Sequence, residues 1–218
     1  MGRFLDVITW MECFHLPWPG PAKYAVRSGP SVPSRLGGSV TRPLAFEHRF
    51  VAAVVDPGVM DVSAAWLSYL PPQLIAILKA GKKDEFNAAM AQAARNTGMP
   101  EAIAARGRPF CKPTVYDTFA AAFEYNLREV IGLVKTPILI TDPDEESFWP
   151  GQSKKMYARL TGDREIVHYS REDGANWHCE PMGRLDVEIG MLDYFEDRLS
   201  RDGESPGKLV LYCINRYR

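Results

Sequence analysis

No Cys-x-x-Cys pair occurs in this 218-residue sequence; its four cysteines, Cys13, Cys111, Cys179 and Cys213, are scattered. That spacing excludes a zinc ribbon, a thioredoxin-type motif and a disulfide framework, and reduced thiols in a cytoplasmic setting are expected. Charge of one sign is missing too: 26 Lys and Arg stand against 27 Asp and Glu, a net charge of −1. Nothing electrostatic therefore points to nucleic acid or an anionic membrane. No apolar run reaches the roughly 18–20 residues that span a bilayer. Asp6 and Glu12 interrupt the N-terminal apolar stretch, so no signal peptide is expected. Gly37-Gly38 lacks the Gly-Lys-Ser/Thr of a phosphate loop, and the adjacent His178-Cys179 has no spaced partner pair for a metal. The expectation is a chain without cofactor or metal.

What is present is apolar patterning. A hydrophobic content of 46% supports a sizeable core. Residues 1–43 read as an irregular N-terminal segment: Met1 to Leu16 fits a short apolar helix, but Pro17, Pro19, Gly20, Pro21, Gly29, Pro30, Pro33, Gly37 and Gly38 break regular structure, and loop is expected over about 17–38. Val51 to Val55 is a continuous apolar run ending at Asp56-Pro57-Gly58, the pattern of a buried parallel strand and turn. Residues 63–134 read as mostly helical. One helix carries Leu74, Ile75, Ile77 and Leu78 and ends at Gly81. A second, capped by Asp84, carries Phe86, Met90 and Ala93. A third runs from Tyr116 to Val134 on the spacing Phe119, Phe123, Leu127, Ile131. Pro137 to Asp142 is a second buried strand, Gln152 to Leu160 a helix, 165–170 a third strand, and Met182 to Leu199 a final helix. This alternation predicts an α/β fold with a parallel sheet over 44–201, followed by a tail at 202–218.

The loop Asp173-Gly174-Ala175-Asn176-Trp177-His178-Cys179-Glu180-Pro181 sets a histidine between a late strand and the last helix. An imidazole there suits a general base, provided a carboxylate lies behind it and a nucleophile in front. Four acids lie at the end of the second strand or on the loop after it: Asp142 at the strand end, then Asp144, Glu145 and Glu146. Asp142 fits a turn cap, and Asp144 and Glu145 fit a solvated acidic loop.

Three blocks resemble a known family: Ala45 to Gly58, Thr141 to Gln152, and Ser170 to Pro181. They are similar to α/β-hydrolases of the dipeptidyl-aminopeptidase-like or acylaminoacyl-peptidase-like group, which includes 2,6-dihydroxypseudooxynicotine hydrolases and hydrolases of fungal pigment and polyketide pathways. The likeness covers about residues 34–199 and is most specific in the last two blocks. It implies the C-terminal half of such an enzyme, a partial α/β-hydrolase fold with a helical lid at about 63–134, the chain's start being either truncated or divergent. It implies a Ser-acid-His triad with His178 as base and Glu146 as acid. Counting back from Phe46-Glu47 places Ser34 at the family's nucleophile and Arg42 at the arginine that usually follows, with Ser39 as the alternative serine. Val32-Pro33-Ser34-Arg35-Leu36 departs from Gly-x-Ser-x-Gly, so a loop serine without chemistry stays an open reading. The order Ser34, Glu146, His178 matches the hydrolase order. The backbone N–H of Arg35 would supply one oxyanion donor.

The function implied is cleavage of an ester, amide or C–C bond in a small apolar substrate, in a secondary-metabolism setting. The competing expectation is an inactive remnant of the fold that binds or pairs. Trp66, Tyr69, Phe110, Tyr116, Phe123, Trp149 and Trp177 are the aromatic candidates for a lining, with core packing the commoner use of each. Sheet strands missing upstream would expose an edge and favour a homodimer.

Overall fold

The computed structural model describes residues 24–27, 37–48, 50–96, 103 and 107–201. Ser34 lies outside these residues. They form two compact units, one built from residues up to Met60 and from Leu127 onward, the other from Asp61–Asn126.

The first unit holds a four-stranded sheet. Its strands are β1 (Tyr24–Arg27), β2 (Phe50–Val55), β3 (Ile138–Pro143) and β4 (Arg164–Tyr169), in the spatial order β1-β2-β3-β4. Every pair is parallel, with Val26 beside Ala53, Val55 beside Ile140, and Asp142 beside His168. The side-chain alternation of a strand explains why β2 and β3 read as unbroken apolar runs. Ala53, Val55, Ile138 and Ile140 face one way, into a core with Leu44, Leu127, Met156 and Leu160. Ala52, Val54 and Leu139 face the other way, against Val187, Met191 and Phe195. Helices therefore cover both faces: α1 (Gly37–Leu44) and α6 (Gln152–Arg159) on the first, and α7 (Arg184–Arg201) on the second.

Two expectations are corrected. Loop was expected over 17–38 and an irregular segment to residue 43, yet β1 and α1 lie there. Four residues flanked by Pro and Gly are too few to show periodicity, and pairing along Ala52, Ala53 and Val54 of β2 supplies the order that the local sequence does not. The third helix was expected to reach Val134, yet α5 (Val115–Glu124) stops ten residues earlier. Leu127 donates its N–H to the Met60 carbonyl (2.9 Å) and joins the sheet's core. Its apolar spacing thus belongs to a different unit, not to a continuing helix.

The second unit is helical: α2 (Ser63–Leu67), α3 (Pro72–Lys79), α4 (Lys83–Asn96) and α5. Pro72 opens α3 at a position where no N–H is needed. Gly81, at φ +74°, closes it, with Lys82 donating back to the Ile77 carbonyl (3.2 Å). Asp84 was expected as the cap of the next helix and instead lies inside its first turn. Thr114 caps α5 by accepting the Asp117 N–H (3.2 Å). Trp66 packs edge-on against Phe110 and Phe119, and Phe86 against Phe119 and Tyr116. Trp66, Phe110 and Tyr116 are thus packed against ring neighbours within this unit. At its base an antiparallel bridge joins Asp61 to Asn126, and the Val62 N–H reaches the Tyr125 carbonyl (3.0 Å).

Candidate functional site

The carboxyl ends of the strands collect the polar residues of the first unit. β2 ends at Val55, and the turn after it is drawn onto α6. Gly58 donates to Ser153 Oγ (3.1 Å) and Met60 to Gln152 Oε1 (2.7 Å). A Cβ at Gly58 would meet Ile140 Cγ2 at 2.9 Å and the Ser153 Cα at 3.0 Å, so only glycine permits this approach.

The four acids at and after the end of β3 separate sharply. Asp142 takes His168 Nδ1 (3.2 Å) and Lys154 (3.3 Å), so it is an ion-pair residue where a turn cap was expected. Asp144 meets His168 Nε2 (3.1 Å). Glu145 pairs with Arg171 at the surface. Glu146 turns inward and lies 2.6 Å, through Oε2, from His178 Nδ1.

Glu146 is fixed at its other oxygen as well. Its Oε1 accepts the backbone N–H groups of Phe148 (2.8 Å) and Trp149 (3.0 Å). The side chains of His178 and Glu146 are only 14% and 6% exposed, which strengthens the bond between them. With a carboxylate at Nδ1, the neutral ring carries its proton there and keeps its lone pair on Nε2. Nε2 is buried and bonds to nothing among the described residues. The rings of Phe148 (4.6 Å) and Trp149 (5.9 Å) pack on the imidazole.

The loop that carries His178 is tied to the acid loop by backbone. Glu145 donates to the Asn176 carbonyl (2.7 Å), and Glu145 and Trp177 form a parallel bridge. Asp173 organises the start of the loop by accepting the Ser170 N–H and hydroxyl, both at 2.7 Å, and these bonds lower its carboxyl below the ordinary range. Behind the histidine, Cys179 is buried, and burial pushes its thiol well above the usual range. Trp149 is buried against the imidazole, while Trp177 is about half exposed. Ser39 lies in α1. Asp56 and Glu180, both buried, had no role in the sequence reading. Nothing in a linear sequence separates a buried acid from a solvated one. No cluster of three metal-ligating side chains occurs, and no helix is long and apolar enough to cross a membrane, among the described residues.

No family model matches the chain, and no curated protein is detectably similar to it in sequence. Solved structures are similar in fold. One is DcsB in complex with its substrate analogue, at a TM-score of 0.54 and 14% identity, covering 91% of this chain and 71% of that one. Another is the α/β hydrolase GrgF from Penicillium sp. sh18, at a TM-score of 0.52 and 17% identity, covering 91% of this chain and 70% of that one. With its parallel sheet between helices and the likeness to these structures, the chain has the α/β-hydrolase fold.

Proposed function

We propose that this protein is a serine-type hydrolase of small apolar substrates in which His178 is the base, Glu146 orients it and Ser34 is the nucleophile. The observation that carries the reading is the buried His178–Glu146 pair, 2.6 Å apart, with Nε2 left without a bond among the described residues. Ser34 enters from the sequence: it falls between β1 and α1, the strand-to-helix interval in which such enzymes carry their serine.

In this reading Nε2 takes the Ser34 hydroxyl proton as the oxygen attacks the substrate carbonyl. The resulting imidazolium is balanced by Glu146, whose two oxygens are held by three hydrogen bonds. His178 then returns the proton to the leaving group. The acyl group stays on Ser34 until water, deprotonated by the same Nε2, releases it. The oxyanion formed in each half would be held by backbone N–H groups, that of Arg35 among them. The helical unit Asp61–Asn126 would act as the lid, and the bond cleaved would be an ester, amide or C–C bond of a secondary metabolite. Cytoplasmic location and pairing of two copies along a sheet edge belong to the same proposal, whereas nucleic-acid and membrane partners do not.

The test is hydrolysis of short p-nitrophenyl esters, with a fluorophosphonate probe mapped by mass spectrometry. His178→Ala is expected to lower kcat/KM by about 10⁴-fold or more, and the probe to label Ser34. Equal rates in wild type and variant would remove the triad. A second reading, a binding module built on an inactive fold, is favoured by the missing glycines around Ser34. It predicts no labelling and no turnover in the wild type.

A further inference from the structure

Two buried acids take no part in the reaction above. Asp56 follows β2, and Glu180 lies two residues beyond His178; they are 3% and 1% exposed. Thr141, on β3, donates its hydroxyl to Asp56 Oδ1 at 2.9 Å. Thr141 lies within reach of Glu180 as well, but its hydroxyl has one proton and can serve only one of the two carboxyl groups; bonded to Asp56, it leaves the two Glu180 oxygens without a donor among the described residues. A buried carboxylate without a donor, beside a second carboxylate, is strongly unfavourable. One proton removes the conflict. Protonated Glu180 becomes a donor, and Asp56 is the carboxylate within its reach.

The backbone around Glu180 bears on His178 directly. Glu180 donates its N–H to the Trp177 carbonyl (2.8 Å), closing a turn over 177–180 with His178 at its second position. Cys179 and Glu180 lie at φ +58° and +45°, a left-handed region that side chains of their kind rarely adopt. Two such residues in succession persist only if their surroundings hold them. Both are anchored on one residue: the Cys179 thiol faces the Asp56 carbonyl oxygen (3.9 Å), and the Glu180 carboxyl faces the Asp56 carboxylate.

We infer that Asp56 and Glu180 share one proton in a carboxyl–carboxylate bond that clamps the 177–180 turn to the end of β2, making Glu180 a positioning residue for His178. The role assigned to His178 rests on the function proposed above; the shared proton does not. Burial first, and then the charge of Asp56, pushes the Glu180 carboxyl from its ordinary 4.5 up to about 10. The other groups whose charge reaches this pocket are Glu146 after β3, Tyr169 on β4, and Cys179, with Arg184 at the start of α7 as the cation on the Cys179 side. The sign follows from proton binding. Below about pH 4.5 the folded and unfolded chains both hold the proton. Between there and about pH 10 only the folded chain holds it, so this contribution to stability falls as pH rises, by up to about tenfold in the folding constant per pH unit. Above about pH 10 the proton leaves and the clamp opens.

Glu180→Gln separates these effects, because an amide N–H can donate to Asp56 without binding a proton. In urea unfolding between pH 5.5 and 9, the folding constant of Glu180→Gln relative to wild type should rise by about tenfold per pH unit. A ratio independent of pH overturns the shared proton. Positioning is read by NMR from the downfield proton on His178 Nδ1. In wild type that signal should disappear above about pH 10, while Glu180→Gln should retain it there; identical behaviour in the two overturns the clamp. In Glu180→Ala, folded by circular dichroism, the signal should broaden and kcat should fall at least tenfold with KM unchanged. A sharp signal and unchanged kcat in that variant would overturn the positioning role. If His178→Ala retains full esterase activity, the hydrolase reading fails, yet the unfolding and NMR measurements still decide the clamp.

Discussion

Two histidines lie toward the same end of the sheet and both meet carboxylates, yet their surroundings differ. His168 stands about half exposed on β4, with Asp142 on one ring nitrogen and Asp144 on the other. Both of its nitrogens are engaged, so neither is left for a substrate. His178 has one carboxylate on Nδ1, aromatic rings on its faces, and Nε2 without a bond among the described residues. The acids sort the same way. Glu146 is held by two backbone N–H groups as well as the imidazole, whereas Asp144 is half exposed, and solvent screens what it contributes. Being a histidine near acids is thus insufficient for the role proposed for His178; one fixed acceptor, one nitrogen without a bond among the described residues and burial separate it from the surface contacts of His168.

That contrast can be broken at three points. Glu146→Ala should have the largest effect: loss of the orienting carboxylate is expected to lower ester hydrolysis by about 10⁴-fold while circular dichroism stays unchanged. A loss below tenfold would place His178 on the same footing as His168. Trp149→Ala comes next. This indole is 3% exposed and packs on His178, and its removal should cost about 3–5 kcal/mol in urea unfolding. His168→Gln should do least, leaving kcat/KM unaltered and changing stability by no more than about 1 kcal/mol. A large catalytic defect there would reverse the assignment of the two histidines.

The parts of this arrangement differ in how far the sequence displays them. β2 and β3 are legible because burial on both faces demands an unbroken apolar run, and Val51 to Val55 and Ile138 to Ile140 supply it. The closeness of His178 and Glu146 is legible because both fall on short loops after adjacent strands of a parallel sheet. β1 is not, since its order comes from pairing with β2 and not from its own four residues. The end of α5 is hidden for the opposite reason: Leu127 and Ile131 continue the helical spacing while packing in another unit. Asp56 and Glu180 are the deepest omission. As letters they resemble any solvated acid, and only the three-dimensional exclusion of water gives them their chemistry.

The paired ends of the helical unit have a consequence for engineering and for evolution. Because Asp61 and Asn126 are bridged, with Val62 bonded to Tyr125, the whole stretch begins and finishes at one point, like a loop of cord tied at its base. A segment attached in this way can be exchanged for another of different length, or trimmed to a tight hairpin, without altering the register of β2 against β3. Foreign cassettes grafted at that knot would leave the contact between Glu146 and His178 as it is.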